Sequence, residues 1–206
     1  MTQIPPFITL PTMPVADLSN WQGIVAYFRS QVEDEWKTPP IRNTSVYLAE
    51  ECNEFMSRVN RDMRPFDLRS APAEEKDDAR REAGTAMAML ATLANQLNVF
   101  LRPGYLGSRY DSKESGGEGR DALSLAIAIN DVGGDISVKL DNAHYDMGPQ
   151  FSGLLRDDME ILLAMILKAG EIMKFNPFEW MTKFMVSVEH KVVQKRADKQ
   201  RQTEEE

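Results

Sequence analysis

Four glutamates carry the first chemical signal in this chain. Glu50, Glu51 and Glu54 stand in the run Leu48-Ala49-Glu50-Glu51-Cys52-Asn53-Glu54-Phe55-Met56, and Glu82 stands in Arg81-Glu82-Ala83-Gly84-Thr85. At about 100° per residue, Leu48, Cys52, Phe55 and Val59 form one apolar helical stripe, while Tyr47, Glu51, Glu54 and Arg58 share the adjoining arc, with Glu50 just beyond. Like charges one turn apart weaken a helix by roughly 0.2–0.5 kcal/mol per pair, so a cation or a basic neighbour is needed to offset them. Glu82 opens the segment Ala83 to Ala94, apolar or small on nearly every face, which is the pattern of a buried helix. In register with Ala86, Met89 and Leu93, its carboxylate points along a packed face and requires a partner.

The rest of the composition narrows the chemistry. Cys52 is the single cysteine, so no intrachain disulfide forms, and its place on the apolar stripe marks a small buried hydrophobe. The two histidines, His144 and His190, lie far apart, which argues against a Cys/His zinc site. Metal chemistry therefore falls to carboxylates, whose hard oxygens favour magnesium, manganese or calcium.

At these residues the chain resembles the MazG-like all-α nucleotide pyrophosphohydrolases, a family that includes dimeric dUTPases and phosphoribosyl-ATP pyrophosphohydrolases. Their pattern is EExxE on one helix and ExxD at the start of the next. Glu50-Glu51-x-x-Glu54 matches the first half, and Glu82-Ala83-Gly84-Thr85 matches half of the second, with Thr85 where the family has aspartate. The similarity extends over roughly residues 44 to 100. It implies that Glu50, Glu51, Glu54 and Glu82 bind Mg²⁺, with Mn²⁺ as a substitute. It also implies that a nucleoside triphosphate is cleaved at the α–β phosphoanhydride to a monophosphate and pyrophosphate. By position, Glu51 or Glu54 is the candidate to take the proton of the attacking water, and Lys183 and the loop arginines, Arg61 among them, are candidate phosphate contacts. The alternatives are an acidic helical protein that binds a partner without catalysis, or a relative that binds nucleotide or metal without hydrolysis.

The elements that must position these residues follow from the order of the chain. Pro5, Pro6, Pro11 and Pro14 deny residues 1–20 a helix and predict an extended arm. A helix is expected from near Leu18 to Trp36, with Trp21, Ile24, Tyr27, Phe28 and Val32 inward, broken by Pro39 and Pro40. The acidic helix follows from about Asn43 to Asn60. The loop after it carries Arg61, Arg64 and Arg69, either phosphate contacts or ordinary solvated side chains. Pro72 suits a first helical turn, and Glu74, Glu75, Asp77 and Asp78 suit the dipole of that turn, which leaves Glu82 unexplained.

The glycine-rich stretch 102–120 reads as a flexible connector between a first half, 40–101, and a second half, 121–195. That second half echoes the first, since Asp131 and Asp135 are spaced like Glu50 and Glu54, and Asp157 and Glu160 stand where Glu82 and Thr85 stand. The echo predicts an internally duplicated helical hairpin around a four-helix core with a degenerate second site, although Gly133 and Gly134 weaken its first helix. A last helix starts at Asn176-Pro177-Phe178-Glu179, with Asn176 as cap and Glu179 closing a capping box, and Phe178, Met181, Met185, Val188 and Val192 face the bundle. Residues 196–206 read as a charged tail.

The expected fold class is therefore all-α, a helical bundle with at most a short strand pairing in 102–120 or 140–150. With 32 acidic against 24 basic side chains the net charge is −8, which opposes a general attraction to nucleic acid or an anionic membrane. No apolar run approaches a membrane span, and no basic-then-apolar leader opens the chain, so a cytoplasmic protein is expected. By analogy with the family, a homodimer or homotetramer is expected, with the proline-rich arm lying across a neighbouring subunit.

Overall fold

The computed structural model describes residues 20–62, 73–103, 118–143 and 149–205, and among them no strand occurs. Six helices follow in order: α1 (Trp21–Val32), α2 (Ile41–Asp62), α3 (Ala73–Gln96), α4 (Glu118–Asn142), α5 (Pro149–Ile172) and α6 (Pro177–Glu205). The molecule is the all-α helical bundle expected. Helix α2 packs on both α3 and α4, α4 packs on α5, α3 touches α5, and all six helices contribute buried side chains to the core. Helix α6 lies along α3, and α1 touches both. Among the described residues no helix is long and apolar enough to cross a membrane.

The predicted stripe of α2 is the side it buries: Leu48, Cys52, Phe55 and Val59 are each at most 1% exposed. Removing such side chains from water stabilises the fold by about 1.5–3 kcal/mol apiece for the large ones. Helix α3 is buried from Glu82 through Ala94, as its small and apolar faces require. Its alanines and Gly84 keep it thin. A methyl group on Gly84 would lie 2.4 Å from the Trp180 carbonyl carbon and 2.6 Å from the Met181 nitrogen, so the absent side chain is what lets α3 and α6 touch backbone to backbone.

Gly133 acts in the same way in the second half. Helix α4 runs through it unbroken, and a Cβ there would stand 2.8 Å from Cys52 Sγ, so the glycine admits α2. The Arg42–Asp141 pair at 2.7 Å closes the other end of this contact and shows that α2 and α4 run antiparallel.

Three boundaries differ from expectation. Helix α1 ends at Val32, short of Trp36, because the Glu33 carboxylate accepts the Thr38 N–H at 3.0 Å and its hydroxyl at 2.6 Å, and this local turn displaces a further helical turn. Its buried face holds Val25 and Arg29 beside Trp21, Phe28 and Val32, whereas Tyr27 is 52% exposed. Helix α4 begins at Glu118, within the stretch 102–120 read as a connector. Helix α6 continues through Glu205, so residues 196–205 of the stretch read as a charged tail are helical. Asn176 caps that helix, its Oδ1 accepting the Phe178 N–H at 3.0 Å, but Glu179 closes no capping box and pairs with Lys183 at 2.8 Å.

The proline-rich arm up to residue 19, Arg64, Arg69, Pro72, residues 104–117 of the connector and His144 lie outside the described residues, as do the side chains of Glu74, Glu75, Asp77 and Asp78.

Candidate metal centre

Helices α2 and α3 run antiparallel, since Gln96 reaches the Pro39 carbonyl at 2.6 Å at one end of the pair and Glu82 meets the acidic turn of α2 nearer the other. That crossing brings one carboxylate oxygen each of Glu51, Glu54 and Glu82 within 4.8 Å of one another. Three of the four expected glutamates therefore converge. Glu50 does not join them: it is exposed, one residue further round the helix than the arc that faces α3.

Burial grades the three. Glu82 is 5% exposed, Glu51 is half-buried and Glu54 is exposed. The Arg81 guanidinium lies 3.1 Å from Glu82 Oε1 and supplies part of the missing positive charge. Glu51 feels mainly the opposite influence. Burial, then the charge of Glu82, a hydrogen bond shared with Glu82, and the charges of Glu54 and Glu50 push its carboxyl up to about 8. Near neutrality Glu51 thus holds a proton in the place where a cation would otherwise sit. Three carboxylates this close offer hard oxygen donors that could hold a metal ion, and nothing in the cluster selects one cation over another.

Thr85 is buried beside Glu82, and its hydroxyl donates to the Arg81 carbonyl of its own helix at 3.1 Å. It brings no charge to the cluster. Cys52, one residue from Glu51 but on the core side, is pushed up to about 12 by burial and by Glu51, which keeps it a thiol and inert.

A cavity of about 360 Å³ opens on the cluster. Glu51, Arg81, Glu82 and Thr85 form one wall, and Trp180, Lys183, Phe184, Ser187, Val188 and Lys191 of α6 form the other, with Trp36 between them. The α6 residues recur at steps of three and four, a single helical stripe beside the core stripe of Met181, Met185, Val188 and Val192. That periodicity was the available signal for Trp180, Ser187 and Lys191, which sequence reasoning did not single out. Trp36 carried none, being a lone aromatic outside any helix.

Lys183 lines the cavity as expected, with its ammonium 4.0 Å from the Trp180 ring centroid and paired to Glu179. Arg61 does not: it sits half-buried in the last turn of α2, away from the lining.

The echo of this site in the second half does not assemble. Asp131, Asp135 and Asp157 are exposed, and Glu160 accepts from Arg156 at 3.0 Å and from the Arg102 N–H at 3.2 Å. Among the described residues only Glu51, Glu54 and Glu82 form a carboxylate group of three. No family model, curated protein or solved structure matches this chain.

Proposed function

We propose that the chain is a divalent-metal-dependent nucleoside triphosphate pyrophosphohydrolase of the MazG-like kind, acting in the cavity between α2, α3 and α6. The observation that carries the reading is the convergence of Glu51, Glu54 and Glu82, two of which, Glu51 and Glu82, line a cavity that two lysines of α6 also line. An acidic protein gains nothing from bringing three carboxylates together unless a cation is shared among them, and an anionic ligand then completes the charge balance.

Glu51, Glu54 and Glu82 would hold Mg²⁺ or Mn²⁺, which when bound supplies charge neutralisation at the phosphates and a more acidic water. Lys183 and Lys191 are the groups in reach of phosphate oxygens, and the faces of Trp36 and Trp180 suit a purine or pyrimidine. Water attacks the α-phosphorus, its proton passes to Glu54 or Glu51, and the bond from the α-phosphorus to the bridging oxygen breaks, releasing pyrophosphate. Of the two acceptors Glu54 is the more accessible to water.

Thr85 favours a second reading. A neutral hydroxyl tied to its own helix leaves the site one carboxylate short of the family pattern, which suits a relative that binds metal and nucleotide without turning them over.

A panel of ribo- and deoxynucleoside triphosphates with Mg²⁺ or Mn²⁺ separates the two. The hydrolase reading expects pyrophosphate release from at least one of them, lost by about 100-fold or more in Glu54→Gln. Binding without release leaves the second reading. If Mn²⁺ calorimetry gives the same affinity for the parent and for a Glu51→Gln/Glu54→Gln protein, both readings fail.

A further inference from the structure

We propose that Lys195, Arg196 and Lys199 of α6 form a latch that positions Trp36 over the acidic cavity, so that the far end of the last helix sets how tightly the site holds its ligand. The proposal rests on the reading of that cavity as the nucleotide site. Asp34 and Glu35 occupy the turn after α1 and immediately precede Trp36. The Glu35 side chain is only 8% exposed, and two ammonium groups cover it: Lys195 Nζ at 2.9 Å and Lys199 Nζ. Lys195 also reaches the Glu35 carbonyl at 3.4 Å. Arg196 binds the Asp34 carboxylate and donates to the Gln31 carbonyl at 3.1 Å. Three cations from little more than one helical turn thus close on two successive carboxylates more than 150 residues away in sequence.

Trp36 belongs to no helix, so its ring is placed by the turn that carries it. That turn is tied locally, by Glu33 to Thr38 and by the Trp36 N–H to the Val32 carbonyl at 2.7 Å, and at long range by these α6 residues, while Gln96 holds the chain three residues further on at the Pro39 carbonyl, at 2.6 Å. Single ion pairs at a surface contribute little to stability, but several that converge on one mostly covered carboxylate fix a geometry. The same helix carries Trp180, Lys183 and Lys191 on the cavity wall, so one rigid rod sets the spacing between the Trp36 side and the lysine side of the site. Lys195, Arg196 and Lys199 are positioning residues: they line no part of the cavity and act through Trp36.

The test uses the full chain with Lys195→Ala/Lys199→Ala and, separately, Glu35→Gln, each also made in a Trp36→Phe background. Acrylamide quenching of Trp36, taken as the difference between each protein and its Trp36→Phe counterpart, is expected to rise roughly twofold when the latch is cut. Unchanged quenching overturns the latch. In calorimetry with Mg²⁺ and the α,β-imido analogues of the four common deoxynucleoside triphosphates, latch variants are expected to bind at least about threefold more weakly. That loss should vanish in the Trp36→Phe background and be restored by Lys195→Arg/Lys199→Arg, with Mn²⁺ affinity unaltered throughout. An equal loss without Trp36 overturns the proposal in favour of general destabilisation. Failure of the parent to bind any analogue removes the nucleotide reading and the positioning role with it, whereas unchanged quenching alongside intact binding removes the latch alone.

Discussion

A carboxyl half-buried between two others cannot give up its proton at the ordinary pH, and in Glu51 the folded value near 8 stands against 4.5 for the free group. Because the folded value is raised, the stability this proton contributes is complete below about 4.5 and is lost as pH rises through 8. The melting temperature of metal-free protein should therefore fall between pH 5.5 and 8.5. Adding Mn²⁺ should raise it most at the alkaline end, where a metal ion no longer competes with the proton; a flat profile in Glu51→Gln would attribute the slope to this residue. Thr85 offers the converse change. Thr85→Asp adds a fourth carboxylate at a buried position, which should raise Mn²⁺ affinity roughly tenfold and destabilise the metal-free protein by about 2 kcal/mol. Calorimetry and urea unfolding, each with and without metal, would read the two effects.

Between the elements, two glycines decide how the helices meet. Gly84 lies against the backbone of Trp180 and Met181, which cannot yield as a flexible side chain would, so Gly84→Ala should cost about 1–3 kcal/mol in urea unfolding. It should also weaken nucleotide binding more than Mn²⁺ binding, because the shift moves α6 and leaves the α2–α3 carboxylates together. Gly133 meets a side chain instead. Gly133→Ala drives a methyl onto Cys52 Sγ, and shrinking that partner with Cys52→Ala should recover about 1 kcal/mol of the loss, a coupling that a double-mutant cycle would measure. Both glycines are legible in the sequence as interruptions of helical patterns. The sequence marks Gly133 as a costly residue inside a helix, but what either glycine does for the fold depends on the neighbour each admits, and the neighbour is a tertiary fact.

Across the molecule, the last helix returns to the first turn. The lysine hydrogen bonds from Lys199 and Lys195 hold the Glu35 carboxyl down at about 2. Since the folded value is depressed, the stability it contributes is present above about 4.5 and is lost as pH falls toward 2. Glu35→Gln should thus lessen the acid-induced loss of structure below pH 4.5, followed by circular dichroism, and leave the alkaline slope of Glu51 untouched. The two windows do not overlap, so the same titration separates the latch from the metal centre.

Local periodicity was enough to determine the all-α class, the buried stripe of α2, the burial of Glu82 and the Asn176 cap, because each depends on residues within a few turns of one another along a helix. The approach of Glu51, Glu54 and Glu82 was expected and is found in space, whereas Glu50, one residue further round the helix, is exposed and stays outside it. The wall opposite the carboxylates depended wholly on the tertiary structure. Trp36, Trp180 and Lys191 become neighbours of Glu82 only when α6 lies along α3, and that docking is set by a glycine and a charged turn distant in the chain. A sequence records which side of a helix is apolar; which other helix covers it, and therefore which side chains share a cavity, is settled by packing among segments that carry no mark of one another.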